Sequence, residues 1–298
     1  MSASATATTS IPASTAVRPM AGVARSGRLA FVDNLRWTMI ILVISMHAAD
    51  TYSPLGNWYY VDRSPLSTPT LLVFAAWQTY LQSFFMGLLF FVAGVFVPAS
   101  VDRKGSRQFL RDRAFRLGLP VLLYTFVVGP LTEYFVSHSW SATHSTFPRE
   151  WYVHLVDGEF LGMNGPLWFC LALLIFSASY VALREVRAAL PPARPRGGAP
   201  GTVAMVGLAL AISAGAFALR TVLPQDFTIM NMHVGDFAQY IALFAAGVVT
   251  ARRGWLSELS FALGMRWLLT VLPIGFAAWL GMFVFRDSLE RWHAQTAA

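Results

Sequence analysis

The sequence has little charge, almost no lysine and a single cysteine. Cys170 stands alone in an apolar run, so the chain cannot build a disulfide framework or a cysteine-based metal site. Charged residues make up 12% of the chain, against about 25% in a soluble globular domain. That shortfall excludes an ordinary water-facing surface. Lys104 is the only lysine, so 21 of the 22 basic residues are arginine. A formal net charge of +7 can signal nucleic-acid binding. Here the arginines gather in alternate inter-helix segments, so membrane orientation accounts for them and no nucleic-acid partner is expected. No internal repeat of fixed period is present, and no pair of broken helices marks two inverted halves.

What the sequence does hold is apolar length. Of 298 residues 56% are hydrophobic, and mean hydropathy is +0.53. Several apolar runs approach 20 residues, the length that crosses a bilayer. The expected fold is an all-α polytopic transmembrane bundle of about seven spans, near 35–52, 70–97, 117–136, 166–183, 202–222, 237–250 and 267–285. Residues 1–28, rich in Ala, Ser, Thr and Pro, read as a disordered cytoplasmic tail rather than a secretory leader; 29–298 form the membrane domain. The second span is expected to stop at Pro98. A basic loop then follows, with Arg103, Lys104, Arg107, Arg111, Arg113 and Arg116. Arg184, Arg187, Arg194, Arg196, Arg252, Arg253 and Arg266 fall on the same side, which puts the N-terminus in the cytoplasm. The other side carries Asp50, Asp62, Glu133, Glu150, Asp157, Glu159, Asp226 and Asp236.

The stretch Asp33-Asn34-Leu35-Arg36 through His47-Ala48 organises the rest. Asp33 suits a helix start, and an apolar run holding one arginine and one histidine follows. Eleven residues separate Arg36 from His47. That is about three turns, so both project from one face, roughly 16 Å apart along the axis. An ionisable group inside a membrane marks a functional site by default. Asp50, one turn beyond, is placed to orient the imidazole, and Glu133 is a second possible partner. Gln78 and Gln82 share a face of the second span. Bland readings stand beside these: a snorkelling anchor for Arg36 and a helix–helix hydrogen bond for His47. Arg111, Arg113 and Arg116 read either as lipid-headgroup contacts or as a polyphosphate clamp for a nucleotide-bearing ligand such as acyl-CoA. His138, His144 and His154 match no metal spacing and are expected to be solvated loop residues of the segment 137–164. Trp140, Trp151 and Tyr152 in that segment could stack on sugar rings.

Together these residues resemble the acyltransferase 3 family of integral membrane acyltransferases. Val32-Asp33-Asn34-Leu35-Arg36 to His47-Ala48 is similar to its first-helix signature. Phe90-Phe91-Val92-Ala93-Gly94-Val95-Phe96 is similar to its "FFxxSGF" stretch, with Ala93 where serine is common. Arg113 and Arg116, before Leu117 and Pro120, resemble its RxxR motif. Leu167-Trp168-Phe169 and Phe244-Ala245-Ala246-Gly247 with Arg252-Arg253 resemble later landmarks. Among subgroups, the glucan-modifying type named for glucan biosynthesis protein C is most similar.

The resemblance implies transfer of an acetyl or succinyl group from cytosolic acyl-CoA to a hydroxyl of a carbohydrate or other acceptor outside a bacterial cytoplasmic membrane. His47 would be the catalytic histidine and Arg36 its partner, with Arg113, Arg116 and Arg111 on the CoA side. No permanently bound cofactor and no metal are implied. His47 could act as a base or carry the acyl group itself. Family members usually have about ten helices, so a chain of about seven is expected to be shortened or a piece of a longer one. Two readings from other classes stay open: a transporter or channel lined by Arg36, His47, Gln78 and Gln82, and a non-catalytic scaffold.

Overall fold

The computed structural model describes residues 30–56, 60–62, 64–140, 146–188, 198–224, 227–258 and 260–296. The predicted tail 1–28, Arg63, His144, Arg194, Arg196 and Asp226 lie outside the described residues, as do the side chains of Asp33, His138 and Trp140. The described residues form a helical bundle with one two-residue-per-strand hairpin. Among them six stretches are long and apolar enough to cross a membrane: Thr68–Lys104, Ser106–Val136, Gly165–Arg187, Thr202–Val222, Val234–Arg253 and Phe261–Gly281. The remaining predicted span is α1 (Ala30–Tyr52), whose 23 residues include Arg36, His47 and Asp50 and so have a less apolar composition.

Helix α2 (Thr68–Lys104) is the axis. Ser67 caps it by accepting the Thr70 N–H at 3.4 Å, and Pro69 occupies its first turn, where a missing N–H costs nothing. The expected stop at Pro98 does not occur. The helix continues to Lys104, with Pro98 buried inside it, and breaks only at Gly105, whose φ is 78°. Membrane helices tolerate proline because packed neighbours re-satisfy the freed backbone.

The expected basic loop is also helix. Ser106–Arg113 forms α3, and the rod runs on through α4 (Leu119–Leu123) and α5 (Gly129–Trp140) with π-helical turns at Ala114–Gly118 and Tyr124–Val128. The Leu119 N–H reaches back five residues to the Ala114 carbonyl, and Gly129 does the same to Tyr124. Pro120, which has no N–H to give, sits directly after the first of these turns.

The polar segment 137–164 contains a further helix, α6 (Phe147–Val156), and short 3-10 turns. Then come α7 (Trp168–Ala188), α8 (Thr202–Val222), the hairpin β1 (Thr228–Ile229) and β2 (Met232–His233), α9 (Phe237–Arg253) and α10 (Phe261–Thr296). The hairpin turns through Met230 and Asn231, both at positive φ, as a two-residue turn of this kind demands.

The core is the seam between α2 and α9. A Cβ on Gly247 would stand 2.1 Å from the Phe91 carbonyl oxygen, and one on Gly94 would stand 2.3 Å from that of Phe244. Glycine at both places lets the two backbones touch. Beside them Phe90, with none of its surface exposed, stacks on Tyr240 at 4.7 Å and meets Phe169 at 4.9 Å and Phe176 at 5.1 Å. Helix α1 lies along α2 through Met39, Met46 and Ala49.

Side chains tie the bundle at each end. At the arginine-rich end, Asp102 of α2 receives Arg252 of α9 and Arg184 of α7, and Arg252 also donates to the Tyr180 hydroxyl. At the other end, Asn164 Nδ2 donates to the Met230 carbonyl at 2.7 Å and Asn231 Nδ2 to that of Gly165 at 3.0 Å.

Candidate active site

His47 sits half-buried near the end of α1, with its Nδ1 atom out of solvent. That nitrogen is 3.5 Å from Oδ2 of Asp50, the next turn of the same helix. The partner read from spacing is therefore the partner found. Glu133, the second candidate, faces Glu159, His154 and Glu150 instead.

Asp50 is itself held. Its Oδ1 accepts a 2.8 Å hydrogen bond from Nε2 of Gln78, a buried residue of α2. Gln78 Oε1 in turn accepts from the Ser53 hydroxyl at 2.9 Å, and Ser53 is fully buried. The sequence marked Gln78 as a polar residue in an apolar span but gave it no partner. It gave no signal for Ser53, which lies just past the helix end, outside any periodic pattern.

Asp50 and Gln78 also wall a cavity of about 730 Å³ between α1, α2, α8 and α9. Gln82, Gln239 and Tyr240 add polar groups, and the Arg220–Asp236 ion pair, 2.6 Å, lines it as well. His47 lies beside this wall, one turn from Asp50, rather than among its lining residues.

Arg36 occupies the opposite end of α1. Its guanidinium lies 5.4 Å from the Phe96 ring centroid on α2. Arg113 packs over the buried Phe109 ring at 5.3 Å, and its cationic neighbours are Arg116 and Arg36. Thus three arginines singled out in the sequence converge at one end of the molecule. Arg113 is half-buried, while Arg116, within the π-turn that begins at Ala114, is exposed. Arg111 is exposed on the last turn of α3, and beyond it lies a second hollow of about 660 Å³ lined by Lys104, Arg107, Gln108 and Arg111. Lys104 is also paired with Asp112.

The acyltransferase 3 model, an acyltransferase domain, matches residues 29–297. The chain belongs to the acyltransferase 3 family. With its six apolar spans it is an integral membrane protein of an acyltransferase family. No curated protein and no solved structure matches it.

Two of the stretches that carried the family resemblance are packing elements rather than chemistry. Gly94 of the Phe90–Phe96 run and Gly247 of Phe244–Gly247 are the close-approach points of α2 and α9. Trp168 and Phe169 close on Phe90. Arg252, from the last landmark, supplies the clamp on Asp102. The aromatic segment near residue 150 also departs from expectation. His154 is not a solvated loop residue: it is on α6, about 6% exposed, with Nδ1 3.5 Å from Glu159. The helix is amphipathic and docks through Trp151, whose indole N–H reaches the Phe126 carbonyl at 2.9 Å. That indole has a structural task, while Tyr152 is exposed. Among the described residues no three potential ligands gather to hold a metal ion.

Proposed function

We propose that this acyltransferase moves an acyl group, acetyl or succinyl, from cytosolic acyl-CoA to a hydroxyl of a carbohydrate or other acceptor on the far side of a bacterial cytoplasmic membrane. The observation that carries the proposal is the His47–Asp50 contact, a histidine and a carboxylate held together on a membrane helix. A carboxylate at Nδ1 favours the tautomer with hydrogen on that nitrogen, which makes Nε2 the basic nitrogen. The 3.5 Å separation fits a resting site, since catalytic hydrogen bonds tighten when substrate binds.

The thioester is already activated, so the protein's task is to deprotonate and place the acceptor. Nε2 takes the hydroxyl proton as the oxygen bonds to the thioester carbon. The carbon–sulfur bond then breaks, and the thiolate leaves with the proton held by the imidazolium. Positioned proton transfer of this kind contributes about 10²–10⁴ in rate. Arg36 is roughly 16 Å away along the helix, too far to touch the same atom. With Arg113, Arg116 and Arg111 it suits the donor's phosphates, because guanidinium forks match phosphate oxygens in pairs. On this reading the donor enters at the arginine-rich end and the N-terminus is cytoplasmic.

The test is transfer of labelled acetyl from acetyl-CoA by purified protein in vesicles. His47→Ala should abolish transfer with its unfolding midpoint unchanged. Undiminished transfer by that variant would overturn the assignment, and solute flux without thioester consumption would favour a transporter.

A further inference from the structure

We infer that Gln78, on a different helix from the base, is a positioning residue that sets the tautomer and orientation of His47 through Asp50. The inference rests on the reading of His47 as the base. It follows from counting donors and acceptors. The Ser53 hydroxyl accepts the Leu55 N–H at 3.1 Å, which leaves its own hydrogen to give away. The acceptor within reach is Gln78 Oε1 at 2.9 Å. That bond, together with the Asp50 carboxylate, which can only accept, fixes which way round the carboxamide sits, a choice an isolated glutamine leaves open. With the oxygen committed to Ser53, the amide nitrogen must face Asp50, and it does, at 2.8 Å from Oδ1. The carboxylate then has one oxygen tied to α2 and the other, Oδ2, left for Nδ1 of His47. A backbone N–H just past the end of α1 is linked by four polar contacts to an imidazole two turns back.

Burial makes this chain specific. Gln78 is about 7% exposed and Ser53 is fully buried, so water does not readily substitute for either. A buried carboxamide with both ends satisfied is costly to turn over, because a flip would leave two groups without partners. Helix α1 lies against α2 mainly through apolar side chains, which fix depth but not rotation. The Gln78–Asp50 bond supplies the rotational reference. Asp50 is a charged group set against His47, and Gln78 faces Asp50 from α2 without charge. Because Gln78 also walls the cavity of about 730 Å³, a ligand entering there meets the residue that holds the base in register.

The experiment compares wild type with Gln78→Met, which keeps the length and removes the donor, and with Ser53→Ala, which removes the hydroxyl that anchors the amide oxygen. The readouts are kcat and the KM for acetyl-CoA. Gln78→Met should lower kcat roughly 10–100-fold, as a misplaced catalytic group does, with donor KM unchanged. Ser53→Ala should lower kcat by less, again with donor KM unchanged, and it carries the test if Gln78→Met does not fold. A kcat within twofold of wild type in the folded variants, or a kcat loss matched by an equal rise in donor KM, would overturn the inference. That result alongside an inactive His47→Ala sinks the positioning role alone; an active His47→Ala sinks the base assignment itself.

Discussion

The α2–α9 seam and the α1–α2 contact are built in opposite ways. At the seam, glycines bring two backbones together and the aromatic cluster around Phe90 fills the space beside them. Along α1 the apolar contact is thinner, Trp37, Ile41 and Ile44 are exposed, and buried polar groups anchor the last turn. The rigid seam carries no candidate catalytic group, and the candidate base sits on the thinly packed helix. A catalytic residue on such a helix needs directional bonds to hold its orientation, because apolar contact alone permits rolling.

The sharpest way to break this contrast is at the seam. Gly247→Leu must displace the Phe91 carbonyl, which a Cβ would approach to 2.1 Å, so the backbones themselves have to part. Overpacking usually costs about 1–3 kcal/mol and more where backbone is the obstacle. The variant should fail to give a monodisperse, cooperatively unfolding protein. A thermal melt superimposable on wild type would mean that the two helices do not meet in this way.

A milder change on α1 should separate stability from activity. Met39 is about 1% exposed, the most buried apolar anchor among the described side chains of that helix. Met39→Ala leaves a cavity worth about 2–5 kcal/mol in a well-packed core. Because α1 packs mainly on α2 among the described residues, the loss should come in at the low end, with the helix loosening locally while the seam stays closed. Acyl transfer should therefore fall further than the unfolding midpoint does. Equal losses in both would place α1 within the cooperative core.

How far the sequence could be read follows the same division. Arg36, His47 and Asp50 were legible because ionisable groups in an apolar run are costly and their spacing puts them on neighbouring faces. Arg113 was legible as a member of the basic cluster, but its meeting with Arg36 depends on helix placement that spacing does not encode. Pro98 was misread as a stop, since helix-breaking by proline is a rule for water rather than for a packed membrane helix. Arg107 to Arg116 were misread as loop because a dense run of charge masks helical period. His154 was misread as solvated because its polar neighbours hid the short amphipathic helix that buries it. Ser53 and the Gln78 bond were invisible, since a contact across 25 residues leaves no local pattern.

The smallest expected effect lies at the arginine-rich rim, where charge rather than packing joins the helices. Asp102 takes Arg252 through both carboxylate oxygens, at 2.5 and 3.2 Å, and Arg184 at 3.1 Å. All three side chains remain about 40% exposed, so water and ions screen them. Exposed pairs contribute about 1 kcal/mol or less, and the shared carboxylate puts this cluster near the upper end of that range. Asp102→Asn should lower the unfolding midpoint slightly in dilute buffer. The difference should shrink toward zero near 1 M salt, where the screening length falls to about 3 Å. A seam defect such as Gly247→Leu has no comparable salt dependence, because its cost is steric. If the Asp102→Asn deficit persisted undiminished in high salt, the rim would be held by desolvated hydrogen bonds, and it would belong with the seam rather than opposite it.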